Sequence, residues 1–170
     1  MEQFIGTKIV QAEPAMKCWG HKGEAHDAGL ILTHKEFFEK VSDGWEATEI
    51  RHGYAVVYED GYRSWSPADV FEAAYRRTDG MNFGLAIEAA KMGKRIARKG
   101  WNGKNMSVAY QKGYPDGIPC NENAAKAWGM EVGELFKCRS YLQMRCADGS
   151  FQMWVASQSD ILADDWYIVE

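Results

Sequence analysis

The stretch Arg98-Lys99-Gly100-Trp101-Asn102-Gly103-Lys104 decides the interpretation of this chain. It places cations, glycines, an amide and a large aromatic ring within one short segment. Glycine permits sharp turns and close approach of the backbone to a ligand, and arginine and lysine attract phosphate. Asn-Gly is also a typical hairpin dipeptide, so the simpler interpretation is a β-turn with a core tryptophan and solvated lysines. Taken alone, the segment leaves both interpretations open.

The charge around this stretch differs from the charge of the whole chain. The 170-residue protein has a formal net charge of −4, but residues 89–115 contain seven lysines and arginines and no aspartate or glutamate. Such a window attracts anions locally. It is too short to form the broad basic face expected of a protein that binds duplex nucleic acid. Duplex nucleic acid is therefore not expected as a partner.

Length and composition are typical of a globular protein, with 46% hydrophobic and 26% charged residues. No apolar run is long enough to cross a membrane, and the first residues lack the pattern of a secretory signal. We therefore expect a cytoplasmic protein with reduced cysteines and no membrane contact. The sequence predicts an α+β fold of two small modules, residues 1–79 and 81–170. In each module, antiparallel hairpins or sheet pack with short helices.

In the first module, the signals for secondary structure are clearest near its C-terminal end. Residues 54–58 and 62–65 predict a hairpin, and Ser66 is predicted to cap the helix that follows it. An earlier strand is predicted over residues 4–12, with an irregular stretch over 16–30.

A cysteine and three histidines in or near this irregular stretch suggest a zinc site: Cys18, His21, His26 and His34. Structural zinc sites usually pair two knuckles of ligands, and only one thiol is present here. Surface histidines are the simpler interpretation, and no metal or other cofactor is predicted.

The second module is predicted as helix, hairpin, short helix, hairpin, helical turn and strand. Asn82 and Asn121 are predicted to cap its helices, and Asp148-Gly149 to form a hairpin turn. Residues 112–120, rich in glycine and proline, predict a loop. The stretch 98–104 then lies at the tip of the first hairpin.

A second polar motif, Ser157-Gln158-Ser159-Asp160, opens the predicted helical turn. Free backbone N–H groups at a helix start favour anions, and Gln158 and Asp160 can hydrogen-bond hydroxyls or base edges. The simpler interpretation is a helix cap with exposed polar residues. Trp154 and Trp166 flank the motif and are expected in the core.

The second module lacks the usual catalytic sets. No histidine occurs in residues 81–170, which excludes a Ser–His or Cys–His pair within the module. No P-loop or dinucleotide-binding motif is present. The carboxylates of Asp164-Asp165 are adjacent and are expected to diverge on a helix. The pattern favours a binding protein that is not an enzyme.

Three motifs in this module, taken in order and spacing, resemble the phage family of second-type Thoeris anti-defence proteins. They are residues 81–86, 97–104 and 153–166. The resemblance covers about residues 81–170. It implies a small α+β protomer that forms homo-oligomers, typically tetramers. It also implies a sponge that binds the cyclic ADP-ribose isomers made by bacterial Thoeris enzymes and sequesters them uncleaved in the host cytosol. A related cyclic nucleotide is a further possible ligand.

The resemblance also implies ligand-binding roles at the motif positions. Trp101 would stack on adenine, and Asn102 and Gly103 would supply amide and backbone contacts. Arg98 or Lys104 would bind phosphate. The remaining three residues would hydrogen-bond ribose or base: Ser157, Gln158 and Asp160.

The compact members of the family correspond to the second module alone, so residues 1–79 are an added module. The resemblance implies no role for it. This acidic module keeps one alternative open, a phage accessory protein that binds a host protein. A nucleotide-hydrolysing enzyme is a second alternative, against which the missing histidine and nucleophile argue.

Overall fold

A computed structural model describes residues 8–101 and 105–169 of the protein. Its contacts divide the chain into two compact units, Met1–Arg76 (unit 1) and Arg77–Glu170 (unit 2). In both units short helices accompany antiparallel sheets, which confirms the predicted α+β class.

Unit 1 is a four-stranded antiparallel sheet of order β2-β1-β3-β4 with two helices. Its elements are β1 (Gln11–Lys22), β2 (Ala25–Thr33), α1 (His34–Ser42), β3 (Glu46–Val57), β4 (Arg63–Pro67) and α2 (Ala68–Ala74). Thr33 caps α1 with a capping box. Phe37 of α1 packs on a buried cluster that includes Met16, Cys18 and Trp45, which gives the unit a core of its own.

Three predictions for unit 1 are wrong in detail. The first described strand begins at Gln11 and continues through Pro14, which lies just beyond the part of β1 that pairs with β2. A proline is tolerated there because its missing N–H is not needed on that side; residues 1–7 lie outside the described part. The stretch predicted as irregular forms parts of β1 and β2. A register shift near Gly20 interrupts the alternation of inward and outward side chains that would have indicated strands. Ser66 belongs to β4, where it lies opposite Tyr54. Pro67 is the residue at the N-cap position of α2, and no side chain caps this helix.

Unit 2 contains a five-stranded sheet of order β10-β9-β6-β5-β11 and a separate pair, β7-β8. Its strands are β5 (Arg95–Arg98), β6 (Ser107–Gln111), β7 (Tyr114–Pro119), β8 (Leu135–Cys138), β9 (Tyr141–Arg145), β10 (Phe151–Trp154) and β11 (Trp166–Val169). Its helices are α3 (Phe83–Lys91), α4 (Glu122–Trp128) and α5 (Gln158–Ile161), with a 3-10 turn at Lys99–Trp101.

The core of unit 2 lies between α3 and one face of the five-stranded sheet. Ile96, Val108, Met144 and Trp166 of the sheet are buried against the alanines of α3. β5 lies inside the sheet between β6 and β11, so the connection that follows it starts at a rigid, buried strand.

One loop prediction for unit 2 is wrong, because residues 112–120 contain β7. In the described part of the chain this strand pairs with β8 alone, so one of its sides is free. A proline is tolerated in such a strand because its missing N–H can face the free side. Gly117 of β7, at φ 103°, sits where the register shifts.

No helix in the described part of the chain combines the length and apolar character that a membrane crossing requires.

Candidate functional site

The pairing of β11 with β5 brings the two polar motifs of unit 2 together. Trp166 lies opposite Arg98 in this pair, and the main-chain N–H of Lys99 donates to the carbonyl of Asp165 at 3.2 Å. α5 lies just before β11 in the chain. Asp160 of α5 and Asp165, immediately before β11, therefore meet β5 and the 3-10 turn that follows it.

Arg98 lies at the centre of this meeting point, with 17% of its side chain exposed. Its Nε donates to Asp165 Oδ1 at 2.8 Å, and its Nη1 donates to Asp160 Oδ1 at 2.9 Å and to the Ser159 carbonyl at 3.1 Å. Hydrogen bonds to Asp165 and to Asp160 raise the pKa of Arg98. The guanidinium therefore bridges two carboxylates.

Asp160 is a buried carboxylate that accepts hydrogen bonds at both oxygens. Oδ2 accepts from the Ser157 N–H at 3.0 Å and the Ser157 hydroxyl at 2.6 Å. Oδ1 accepts from Arg98 and from Trp101 Nε1, the latter at 3.3 Å. Burial alone raises the pKa of Asp160, but the bonds from Ser157 and Arg98 outweigh it and hold the pKa below its usual range. The carboxylate is therefore ionised at neutral pH.

Trp101 belongs to a cluster of three indoles that pack edge to face. Its ring lies 5.3 Å from that of Trp166 and 5.9 Å from that of Trp154, at interplanar angles of 78° and 77°. Trp166 is fully buried and donates from Nε1 to the Asp160 carbonyl at 3.0 Å. Trp101 itself is half-buried. It is therefore packed on the core with part of its surface exposed.

The start of α5 has the geometry of a helix cap, the simpler of the two interpretations of this motif. Ser157 and Asp160 form a reciprocal capping box. Gln158 is exposed, and its amide makes no hydrogen bond to the described residues.

The predicted site residues therefore fall into three groups: those in one hydrogen-bond network, one that is exposed, and those outside the described residues. Arg98, Trp101, Ser157 and Asp160 form one network, and Gln158 lies on the exposed side of α5. The other three, Asn102, Gly103 and Lys104, lie outside the described residues.

Sequence reasoning missed Asp165. Its Oδ2 accepts from the Gly100 N–H at 2.9 Å, and the hydrogen bond from Arg98 lowers its pKa. Asp164 is exposed while Asp165 is half-buried, and both lie after the end of α5 rather than on a helix. The only available signal was the position of Asp165 immediately before a predicted strand, because its partners come from a distant part of the chain.

The cysteine and histidines considered as zinc ligands lie in unit 1. Cys18 is fully buried in the core, and burial raises its thiol pKa. His21 and His26 face each other across β1 and β2, with ring centroids 5.5 Å apart. Within residues 8–101 and 105–169, no group of three or more histidine, cysteine or acidic side chains is arranged to hold a metal ion.

Comparison with known proteins concerns unit 2. A family model described as the Thoeris anti-defense 2-like domain matches residues 81–169. The chain is also 35% identical over 92 residues to Thoeris anti-defense 2 of Bacillus phage SP01, an alignment that covers 52% of this chain and 94% of the relative. The range matched by the family model contains Arg98, Asp160 and Asp165. The chain therefore belongs to the Thoeris anti-defense 2-like family, with a role in phage anti-defence.

Proposed function

We propose that the protein binds cyclic ADP-ribose isomers, the immune signals of Thoeris, and sequesters them uncleaved in the host cytosol. Cyclic oligonucleotides are further candidate ligands. The observation that carries the proposal is Trp101, an indole held by Asp160 and by two neighbouring indoles while part of its surface is exposed. A fixed aromatic face is what an adenine base needs for stacking.

The charges around Trp101 suit a pyrophosphate. Arg98 uses Nε and Nη1 for its carboxylates, but its Nη2 makes no hydrogen bond to the described residues. Lys99 follows Arg98 directly, and Lys104 is assigned to phosphate by its position in the motif. These groups can bind the two phosphates, since charge-assisted hydrogen bonds are the strong ones.

The polar groups nearest Trp101 support binding rather than turnover. Asp160 and Asp165 use their oxygens for hydrogen bonds to Ser157, Arg98, Trp101 and Gly100. Residues 81–170 contain no histidine that could act as a general base. A ligand would therefore leave the site as it entered.

The proposal includes self-association, with a tetramer expected from the family resemblance. β10 is an outer strand of its sheet and carries an exposed apolar row. Phe151 and Met153 in the strand are 64% and 70% exposed, and Val155, just after it, is 89% exposed. An apolar row on a sheet edge is a surface that another chain can cover. Light scattering on the purified protein measures the assembly, and a monomer at micromolar concentration would contradict it.

A capture-and-release experiment tests the function. The protein is mixed with a panel of cyclic ADP-ribose isomers, filtered free of unbound ligand, heat-denatured, and the released material is analysed by mass spectrometry. Release of an intact isomer supports the sponge, and release of an altered one supports an enzyme. An empty protein contradicts both and favours a host protein as partner.

Trp101→Ala is expected to abolish capture and leave the fold intact, because it removes the stacking face but no buried strand residue. Isothermal titration measures binding, and far-ultraviolet circular dichroism with a thermal melt monitors the fold. Trp128→Ala is the matched control, since that indole is 81% exposed at the end of α4. Normal binding by Trp101→Ala would show that Trp101 is only a core residue.

A further inference from the structure

Asp165 holds the start of the connection between β5 and β6. Its side chain accepts from Arg98 Nε at 2.8 Å and from the Gly100 N–H at 2.9 Å, and its carbonyl accepts from the Lys99 N–H at 3.2 Å. One residue thus binds three successive residues immediately before Trp101. The approach is close, because a Cβ at Gly100 would lie 3.1 Å from Asp165 Oδ2.

Arg145 holds the other end of the same connection. Its Nη1 donates to the carbonyl of Asn105 at 3.0 Å. Asn105 has a φ of 53°, a left-handed conformation that asparagine tolerates better than most residues. Arg145 ends β9, opposite Ser107 of β6 and Phe151 of β10, so its backbone is fixed on both sides by the sheet.

We propose that Asp165 and Arg145 are positioning residues of the ligand site. They hold the two ends of the β5–β6 connection, which carries Trp101, and neither residue touches the ligand. This inference rests on the proposed function of that site.

The physical reason is pre-organisation. A connection that is free at its ends must be ordered when the ligand binds, and the entropy of that ordering is subtracted from the affinity. Side chains that bind main-chain groups at Gly100 and at Asn105 reduce this loss at the two ends before the ligand arrives. Tight sequestration therefore needs both anchors.

The test uses the full chain with two variants and two controls. Asp165→Asn replaces one acceptor oxygen with an NH₂ group, which then faces either the Gly100 N–H or Arg98 Nε. Arg145→Met removes the donor to Asn105 and keeps an extended side chain. Asp164→Asn and Arg139→Met make the same changes of charge at exposed positions.

Three measurements are compared across these proteins. Without ligand, amide exchange at Gly100 reports on Asp165, and the carbonyl ¹³C shift of Asn105 reports on Arg145. Titration with the isomer that the wild type captures then gives affinity, and a thermal melt gives Tm. We expect faster Gly100 exchange in Asp165→Asn, a shifted Asn105 carbonyl in Arg145→Met, and at least tenfold weaker binding in both variants. Tm should stay near that of its control in Arg145→Met and fall in Asp165→Asn, which loses the ion pair with Arg98.

Arg145→Lys separates positioning from general stability, because it keeps a cationic donor at the same place. It is expected to recover much of the affinity that Arg145→Met loses, and it serves as the test if Arg145→Met does not fold. Affinities equal to those of the controls, or unchanged Gly100 exchange in Asp165→Asn, overturn the inference. A wild type that binds no isomer overturns the proposed function. The two ligand-free measurements then still decide whether these residues hold the connection.

Discussion

Asp160 shows how one buried carboxylate organises a site. Its oxygens accept from a helix-start N–H, a hydroxyl, a guanidinium and an indole N–H. It therefore joins the start of α5 to Arg98 and to Trp101. Direct hydrogen bonding of Asp160 to ribose stays a prediction, and it would require one of these donors to move aside.

The site is expected to lose stability in acid. Hydrogen bonds hold the pKa values of Asp160 and Asp165 below their usual range, so the unfolded chain binds these protons at a higher pH than the folded one. The stabilisation is complete above the unfolded carboxyl pKa of about 3.9. It is lost as the pH falls through the lower folded values.

Urea unfolding at a series of pH values between neutrality and about pH 3 measures this loss. The free energy of unfolding should fall less steeply with decreasing pH in Asp160→Asn than in the wild type. Carboxylates that do not share Arg98 contribute to both curves equally, so the difference reports on Asp160 together with any coupled change at Asp165. Asp164→Asn should retain the wild-type steepness, and identical curves for Asp160→Asn would contradict the argument.

Among the elements, those with a local signal were predictable from the sequence. Asn82 and Asn121 cap α3 and α4 as expected, and Gly129 ends α4 at φ 67°. The hairpin of β9 and β10 follows the Asp148-Gly149 signal. Each of these signals acts over a few residues, so the sequence alone contains it.

The missed features depend on distant pairing. β1 and β2 carry a register shift, and β7 contains two prolines, which are tolerated because each strand of its two-stranded sheet is an edge strand. For the same reason the sequence indicated Arg98, Trp101, Ser157 and Asp160 but not Asp165. The role of Asp165 exists only because β11 pairs with β5.

The cap of α4 provides a test at the scale of one helix. Asn121 Oδ1 accepts from the Ala124 N–H at 2.9 Å, so Asn121→Ala is expected to cost about 1 kcal/mol of stability. Asn123→Ala changes the same residue type within the exposed first turn and should be close to neutral. Urea unfolding measures both, and equal effects would show that the cap contributes nothing specific.

At the scale of the whole molecule, each unit has its own core. The cluster around Met16 and Trp45 belongs to unit 1, and the cluster around Ile96 and Trp166 belongs to unit 2. The family match and the candidate site both fall in unit 2. Unit 1 thus needs no part in building the Arg98 network.

A fragment of residues 77–170 is therefore expected to fold and to bind the isomer that the full chain binds, within about threefold in affinity. This choice of start matters. The Thr78 carbonyl accepts from the Ile168 N–H at 3.0 Å, and Met81 exchanges two main-chain hydrogen bonds with Trp166 at 2.8 and 3.1 Å. A fragment that starts at Asn82 keeps the cap of α3 but loses these bonds to β11, the strand that aligns Asp165 with Arg98.

Thermal melts and titrations of the two fragments and the full chain measure the difference. The shorter fragment should melt at a lower temperature and bind more weakly, because β11 loses partners beside the site. If the 77–170 fragment folds but binds more than tenfold more weakly than the full chain, residues 1–76 take part in ligand binding. Equal behaviour of both fragments would instead show that the strand pairing at Met81 does not support the site.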